Sequence, residues 1–480
     1  MGHTGRALGL AIVIGAGLLL ARSTFWAGAA QTSKAEGQPD LVIVETPVLR
    51  PGSLSQRFPQ GSRLVRLAGK GHPPLNLTAE FFAAADPRVS FDGARVLFAG
   101  KKSSDAHWQI WEMNVDSSGS RQISHCPGDC VKPAYLPRGE IVFTALSAGA
   151  DSQLWVSKLD GSNAHPITFG PGDFQVETVL KNGMILATAR SPLLPADGHP
   201  ADRQLYTLRP DGSDLGTLRC DHRHAAIRSQ AEELDDGSVV FVKAPLARVG
   251  LGGELAWIRR GAVHNAPLTS ARTVTLSPEP LVADKLVVAR EPGPVNAPKG
   301  KLALYTFDAV QGRFGPLIYQ DPKLSSIAAV PVAAHEPPRW YWSTLNPELQ
   351  TGYFVCMDAY EAEGFPHGRI PAELSKLRLL TLDSDTQQER SLGEAPIEKD
   401  GSLYIAVPPD KPLRFELLDT AGRVVRAQRS WIWSRSGEEH GCVGCHEDRA
   451  LAPENRWPLA LRSFDTPTRL GVEAHPQAAH

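Results

Sequence analysis

Cys442, Cys445 and His446 stand in the order C-x-x-C-H within GCVGCHEDRALAPENRWPLAL, the run from Gly441 to Leu461. That spacing suits covalent haem c. Two thiols form thioether bonds to the haem vinyl groups, and a histidine directly after the second cysteine faces the iron. Three other origins compete: a dithiol redox centre, half of a zinc site, and coincidence. A thioredoxin-type C-x-x-C opens a helix after a βα pattern, and no such pattern precedes this one. A zinc site needs a second ligand pair, for which CDHRH (Cys220 to His224) is the candidate of the right type. With six cysteines and 15 histidines in 480 residues, chance is a poor source of the motif. Covalent haem, with Cys442 and Cys445 as anchors and His446 on the iron, is the expected reading.

The other face of the iron has no obvious partner. Beyond Met1, the methionines are Met113, Met184 and Met357, and none follows the motif, where an electron-carrying cytochrome c places its axial Met. A five-coordinate iron, or one bound by His, Tyr or Cys, is expected. An open position favours small-molecule chemistry over simple electron relay. Among the remaining cysteines, HCPGDC sets Cys126 and Cys130 across a Pro-Gly turn. A small surface disulfide is expected there, with metal binding alongside His125 as the alternative. Cys356 is either a buried small apolar group or a second metal ligand, for iron or zinc. His107, His222 and His224 are further pocket candidates, although lone histidines are more often surface or core residues.

The compartment follows from the N-terminus. After MGHTGR comes the apolar run Ala7 to Ala21, then small residues up to Ala29 and Ala30. Residues 1–30 therefore read as a secretory signal, shorter in its apolar part than the ~20 residues of a membrane span. A retained N-terminal anchor is the alternative, and membrane attachment is expected only in that case. The chain is expected to be exported, periplasmic or extracellular. The net charge of −2 and the 21% of charged residues leave no basic surface for nucleic acid.

The elements that must position the motif are strands. Between residues 41 and 330, strand–turn–strand units recur: VSFDGARVLFAG, AYLPRGEIVFTA, TVLKNGMILATA, EELDDGSVVFVK and PLVADKLVVAR. Their turn residues Gly93, Gly139, Gly183, Gly237 and Asp284 lie 44 to 54 residues apart. Each unit then has a strand with an aromatic (Trp111, Trp155, Tyr206, Trp257, Tyr305) and a short fourth strand. That period and strand count define a β-propeller, because a single blade cannot bury both of its faces. A sixth blade begins with LVIVETP, SRLVRLA and LNLT, and SIAAVPV (Ser326 to Val332) can supply its innermost strand. Pairing the two ends would leave no open edge. The D-G-S turns resemble the propeller repeats of the Tol translocation protein family, a likeness of architecture only.

Residues 331–480 break the repeat. HEPPRW reads as a linker, and the strands that follow, joined by D-G and A-G turns, read as a β-sandwich that leads into the cysteine motif. The fold class is thus all-β: a six-bladed β-propeller followed by a β-sandwich-like domain. Only 34 residues follow His446, too few for a free-standing cytochrome c fold, so a haem must lie against what precedes it. Trp431 and Trp433 are expected beside it.

TGYFVCMDAYEAEG, GSLYIAVPPDKPLRFELLDTAGRVVRAQRSWIW and GCVGCHEDRALAPENRWPLAL together resemble the middle domain of the hydrazine synthase alpha subunit family. The resemblance covers about Pro331 to the end, and the propeller matches the arrangement that precedes this domain in the family. It implies one c-type haem, which in hydrazine synthase itself is an active-site haem of a multihaem complex. It also implies a tyrosine on the iron and the motif histidine turned to zinc. Here Glu447, Asp448, Arg449, Ala450 and Leu451 follow the motif. The tyrosine is missing, so His446 stays the expected iron ligand, and a zinc between His446 and Cys356 is the lesser implication. No segment here matches the family's second haem domain, so full hydrazine synthesis is not expected. A redox or small-molecule haem protein is the leading expectation, acting on a small ligand or a redox partner protein. The alternative is a propeller binding or sensing module whose haem only relays electrons.

Overall fold

The computed structural model describes residues 39–50, 54–69, 72–146, 151–190, 202–218, 225–246, 252–262, 264–282, 284–292, 301–383, 386–445, 456–462 and 467–472. The signal segment, Cys220, His222, His224 and His446 lie outside these residues. Among the described residues the elements are strands and short 3-10 turns, and no helix is long and apolar enough to cross a membrane.

Six four-stranded antiparallel units make up the first part. Their innermost strands are Ala83–Val89, Asp129–Leu136, Gln175–Val179, Ile227–Glu233, Thr275–Pro280 and Ser325–Pro331. Each innermost strand packs on the next, and the ring closes where Ser325–Pro331 meets Ala83–Val89. The closing blade has the order Ser325–Pro331, Asp40–Thr46, Arg63–Ala68, Leu75–Asn76. SIAAVPV does supply its innermost strand, pairing Leu41 with Pro331 and Thr46 with Ser325. The tight turns need positive φ, and Gly93, Gly139, Gly183 and Gly237 provide it at 74°, 74°, 86° and 83°. The core is continuous across the closure: Leu41, Phe98, Phe143, Val287 and Leu304 belong to one buried cluster.

The last part is a sandwich of two four-stranded sheets. One has the order Glu439–Gly444, Gly352–Asp358, Leu403–Val407, Thr468–Arg469, with parallel pairs at both edges. The other has the order Glu389–Pro396, Leu374–Leu382, Leu413–Asp419, Val424–Ala427. Phe354, Leu377, Leu379, Ile405 and Leu417 fill the space between them.

The segment that joins the two parts is irregular but bound to the blade turns. His335 N donates to Phe91 O (2.9 Å) and Arg339 N to Lys181 O (3.0 Å). The Arg138 guanidinium lies 4.2 Å from the Trp342 ring centroid and 5.0 Å from that of Trp340. The approach is close enough that a Cβ on Gly183 would sit 2.2 Å from Arg339 O. HEPPRW is therefore a strap laid across the propeller turns rather than a free linker.

Trp433 makes the second attachment. The ring is buried against Phe169 and Phe174, at centroid distances of 5.9 and 5.5 Å, in a core otherwise built from propeller residues. Its Nε1 donates to Gly212 O at 2.8 Å. The indole N–H needs an acceptor when buried, and a blade turn offers one. Arg435 donates to Asp211 O, and Asp214 N donates to Glu438 Oε1 at 2.8 Å, beside it. Trp431 is buried as well.

Candidate functional site

The cysteine motif is delivered by an edge strand. Glu439–Gly444 runs parallel to Gly352–Asp358, with His440 opposite Phe354, Cys442 opposite Cys356 and Gly444 opposite Asp358. Cys356 is buried in the sandwich core, and Cys442 and Cys445, both half-buried, pack against the same core. Three thiols thus gather at one strand pair. Burial, with the neighbouring Cys442 and Cys445 adding to it, pushes the Cys356 thiol well above its ordinary pKa. Cys356 is held as a neutral thiol, unlike an activated thiolate.

The backbone fixes where the second cysteine stands. Cys445 N donates to Glu361 O at 2.8 Å. A Cβ on Gly444 would lie 2.4 Å from that same oxygen, so only glycine lets the strand end come this close. Gly441, by contrast, is exposed, and no described atom lies within 4 Å of where its Cβ would be.

Asp358 organises the other side. Its Oδ2 accepts from Arg369 Nη1 (3.1 Å) and Arg456 Nη2 (2.8 Å), and its Oδ1 accepts from Tyr360 N (3.0 Å). Arg456 Nη2 also donates to Asp400 O at 2.5 Å. Leu459 N donates to Asp400 Oδ2 (2.9 Å) and Ala460 N to Ser402 Oγ (3.0 Å). Arg456, Leu459 and Ala460 therefore hold to the same corner of the sandwich as Asp358 and Asp400. Asp358, Glu361, Arg369 and Arg456 were not singled out in the sequence. A DAYE run two residues after Cys356 was the available signal, but only the strand register gives it meaning.

The donor set fits a covalently held haem. The half-buried thiols of Cys442 and Cys445 stand three residues apart on and just past one edge strand, with Gly441 exposed beside them. His446, the expected iron ligand, and with it the zinc suggested between His446 and Cys356, lie outside the described residues. Among the described residues no group of three or more His, Cys, Asp and Glu side chains is arranged to hold a metal ion.

The remaining candidates lie elsewhere. Cys126 and Cys130 are disulfide-bonded, with Cα atoms 6.3 Å apart. Cys130 is fully buried at the start of an innermost blade strand, so the bridge is rooted in the core rather than superficial. His125 is exposed, its Nδ1 3.2 Å from Gln122 Nε2. His107 is exposed beside Asp129 at 3.3 Å. A cleft of about 870 Å³ lies between the blade that begins with Asp129–Leu136 and the sandwich, and is lined by Trp155, Asp151, Arg390 and Asp410 among others.

A propeller carrying a cysteine-bearing sandwich defines the class, and comparison with known proteins narrows it. The hydrazine synthase alpha subunit middle domain family matches residues 365–447. The hydrazine synthase alpha subunit of Kuenenia stuttgartiensis is 22% identical over an alignment of 537 residues, 85% of this chain and 65% of that protein. The solved hydrazine synthase of the same organism superposes with a TM-score of 0.77 at 21% identity, covering 88% of this chain and 71% of that one. TolB of Acinetobacter baumannii is a looser likeness, with a TM-score of 0.44, 14% identity, and coverage of 61% and 66%. Residues 365–447 are thus similar to the middle domain of hydrazine synthase alpha subunits, and the chain spans just under two thirds of the curated relative's length.

Proposed function

We propose that this chain is an exported monohaem c-type protein with redox or small-molecule haem chemistry. The observation that carries the reading is the pairing of Cys442 with Cys356 on parallel strands. It fixes Cys442 and Cys445 at a half-exposed sandwich edge within the stretch matched by the hydrazine synthase alpha family. Cys442 and Cys445 would carry the thioether bonds and His446 would face the iron. A haem held there would supply one-electron chemistry. Cys445 keeps its place through the Glu361 carbonyl. Arg369 and Arg456, ion-paired with Asp358, brace the strand end that carries the motif. Cys356, neutral and buried, fills the floor beneath the pair and keeps water out.

The test is haem staining of denatured protein made alongside a c-type haem attachment system. A stain that survives denaturation and vanishes in Cys445→Ala is expected. Loss of haem on denaturation, or an undiminished stain in the variant, refutes covalent attachment. Carbon monoxide binding to the reduced protein supports an open iron position. A low-spin spectrum indifferent to carbon monoxide points to electron relay.

A further inference from the structure

All six innermost strands shift register near the propeller axis, and Asp86, Lys132, Gln230, Ser277 and Ala328 adopt positive φ there. The bulges turn a set of charged side chains toward a cavity of about 60 Å³ on the axis. Most of these charges are matched. Arg88 donates to Glu232 (2.6 Å), Glu279 (3.2 Å) and the Glu177 carbonyl (2.6 Å). Lys132 Nζ donates to Glu177 Oε1 at 2.9 Å, and Glu177 Oε2 accepts from Gln230 N at 2.7 Å. Asp86 Oδ2 accepts from Lys132 N at 3.2 Å.

Arg57 is the exception. It comes from the connection between the Asp40–Thr46 and Arg63–Ala68 strands, which is pinned over the axis by Trp108 Nε1 donating to Ser55 O at 2.8 Å. The Arg57 side chain lines the cavity, and its Nε is buried with no hydrogen-bond acceptor. Asp86 and Glu177 act on it only through space, and burial lowers its pKa. Arg57 is half-buried, with its guanidinium carbon 5.1 Å from the Phe58 ring centroid, and its Nε is the buried donor that lacks an acceptor, a cost that a bound acceptor removes.

With Glu279 protonated, the axial charges match in number, and the Arg57 Nε is the donor left without a partner. Burial first, and the neighbouring Glu232 second, push the Glu279 carboxyl up to about 8, while Arg88 opposes the shift. At neutral pH Glu279 carries its proton. Asp86, Glu177 and Glu232 then face Arg57, Arg88 and Lys132, so no carboxylate is left over for a cation. A water needs roughly 10–15 Å³ of such space, so the cavity holds about four to six waters, or one ion of three to five heavy atoms.

We propose that the propeller axis is a binding site for a small planar oxyanion, of the size of formate, acetate or nitrate, held by the Arg57 guanidinium. The site is separate from the cysteine motif and does not depend on the haem reading. Larger dicarboxylates and phosphate esters do not fit the volume. Arg57 and Phe58 are the residues of this connection that line the cavity.

The experiment is isothermal titration of the full chain at pH 7 with sodium formate and, separately, sodium nitrate, against sodium chloride at equal ionic strength. Saturable binding of formate or nitrate, weakened at least tenfold by Arg57→Met and partly restored by Arg57→Lys, is expected. Trp108 fluorescence should change on titration, because its indole holds the Arg57 segment. Binding that is the same in Arg57→Met, or no response beyond that to chloride, overturns the proposal, as does preferential binding of calcium or manganese. Should Arg57→Met not fold, the pH dependence of wild-type binding decides. Affinity should fall as Glu279 ionises above about pH 8, and an affinity unchanged from pH 6 to pH 9 overturns the proposal.

Discussion

Replacing Trp433 tests whether the sandwich and the propeller stand or fall together. The side chain is 2% exposed, fills a hollow between Phe169 and Phe174, and gives its N–H to Gly212 O. Truncation to alanine removes a large ring from a packed site, which costs about 3–5 kcal/mol. Two edge-on aromatic contacts and one hydrogen bond disappear with it and are included in that figure. Trp433→Phe keeps most of the packing and leaves the Gly212 carbonyl without its donor, so about 1–2 kcal/mol is expected. Urea unfolding followed by far-ultraviolet circular dichroism and by tryptophan fluorescence measures both. In Trp433→Ala the two probes should separate into two transitions, because the sandwich loses its main buried anchor on the blades. Haem content per chain should be unchanged, since the ring sits in the propeller core and not at the cysteine pair. A loss below about 1 kcal/mol, or a phenylalanine variant as damaged as the alanine one, refutes the packing argument.

Three further outcomes follow from the same geometry. The Glu279 carboxyl is pushed up to about 8 when folded, against an ordinary value of 4.5 when unfolded. Between those values the folded state holds the extra proton, so stability falls as pH rises, by up to about 1.4 kcal/mol per pH unit from this group. Glu279→Gln should flatten the slope between pH 5 and 8 in equilibrium unfolding, and an unchanged slope assigns it to other groups. Gly444→Ala sets a methyl against the Glu361 carbonyl, which should cost about 1–3 kcal/mol and lower haem incorporation. Pyridine haemochrome spectra and thermal melts together check it, and wild-type values in both discard the cradle. In haem-free reduced protein at pH 8, iodoacetamide should label Cys442 and Cys445 well before Cys356, whose thiol burial keeps protonated. Mass spectrometry of peptides reads the order, and early labelling of Cys356 contradicts the buried placement.

Much of the scaffold was legible because it repeats. A hairpin turn with glycine at positive φ is a local demand, so the turns at Gly93, Gly139, Gly183 and Gly237 mark the blades in the sequence itself. The closing strand was also legible, because the first blade lacked an innermost strand and Ser325–Pro331 was apolar and unclaimed. What escaped was set by distant partners. Arg88 meets Glu279 across most of the ring, and no local pattern joins them. Cys356 was singled out, but its place beside Cys442 depends on a parallel pairing of strands far apart in the chain. The anchoring of Trp433 in a propeller core was equally hidden, because nearness in sequence says little about contacts in a β-strand. Neighbouring residues there point to opposite faces, and a few residues carry the chain from one layer to another.

The strand Asp40–Thr46 leaves the ribosome early, yet its inner neighbour, Ser325–Pro331, comes nearly three hundred residues later. At a synthesis rate of roughly 5–20 residues per second, that strand waits tens of seconds with one edge unsatisfied. The ring is thus a timer: the propeller cannot reach its final cooperativity until its last strand arrives. The strap and the sandwich emerge only after that strand, so the cysteine pair meets a propeller that has all the strands it needs to close.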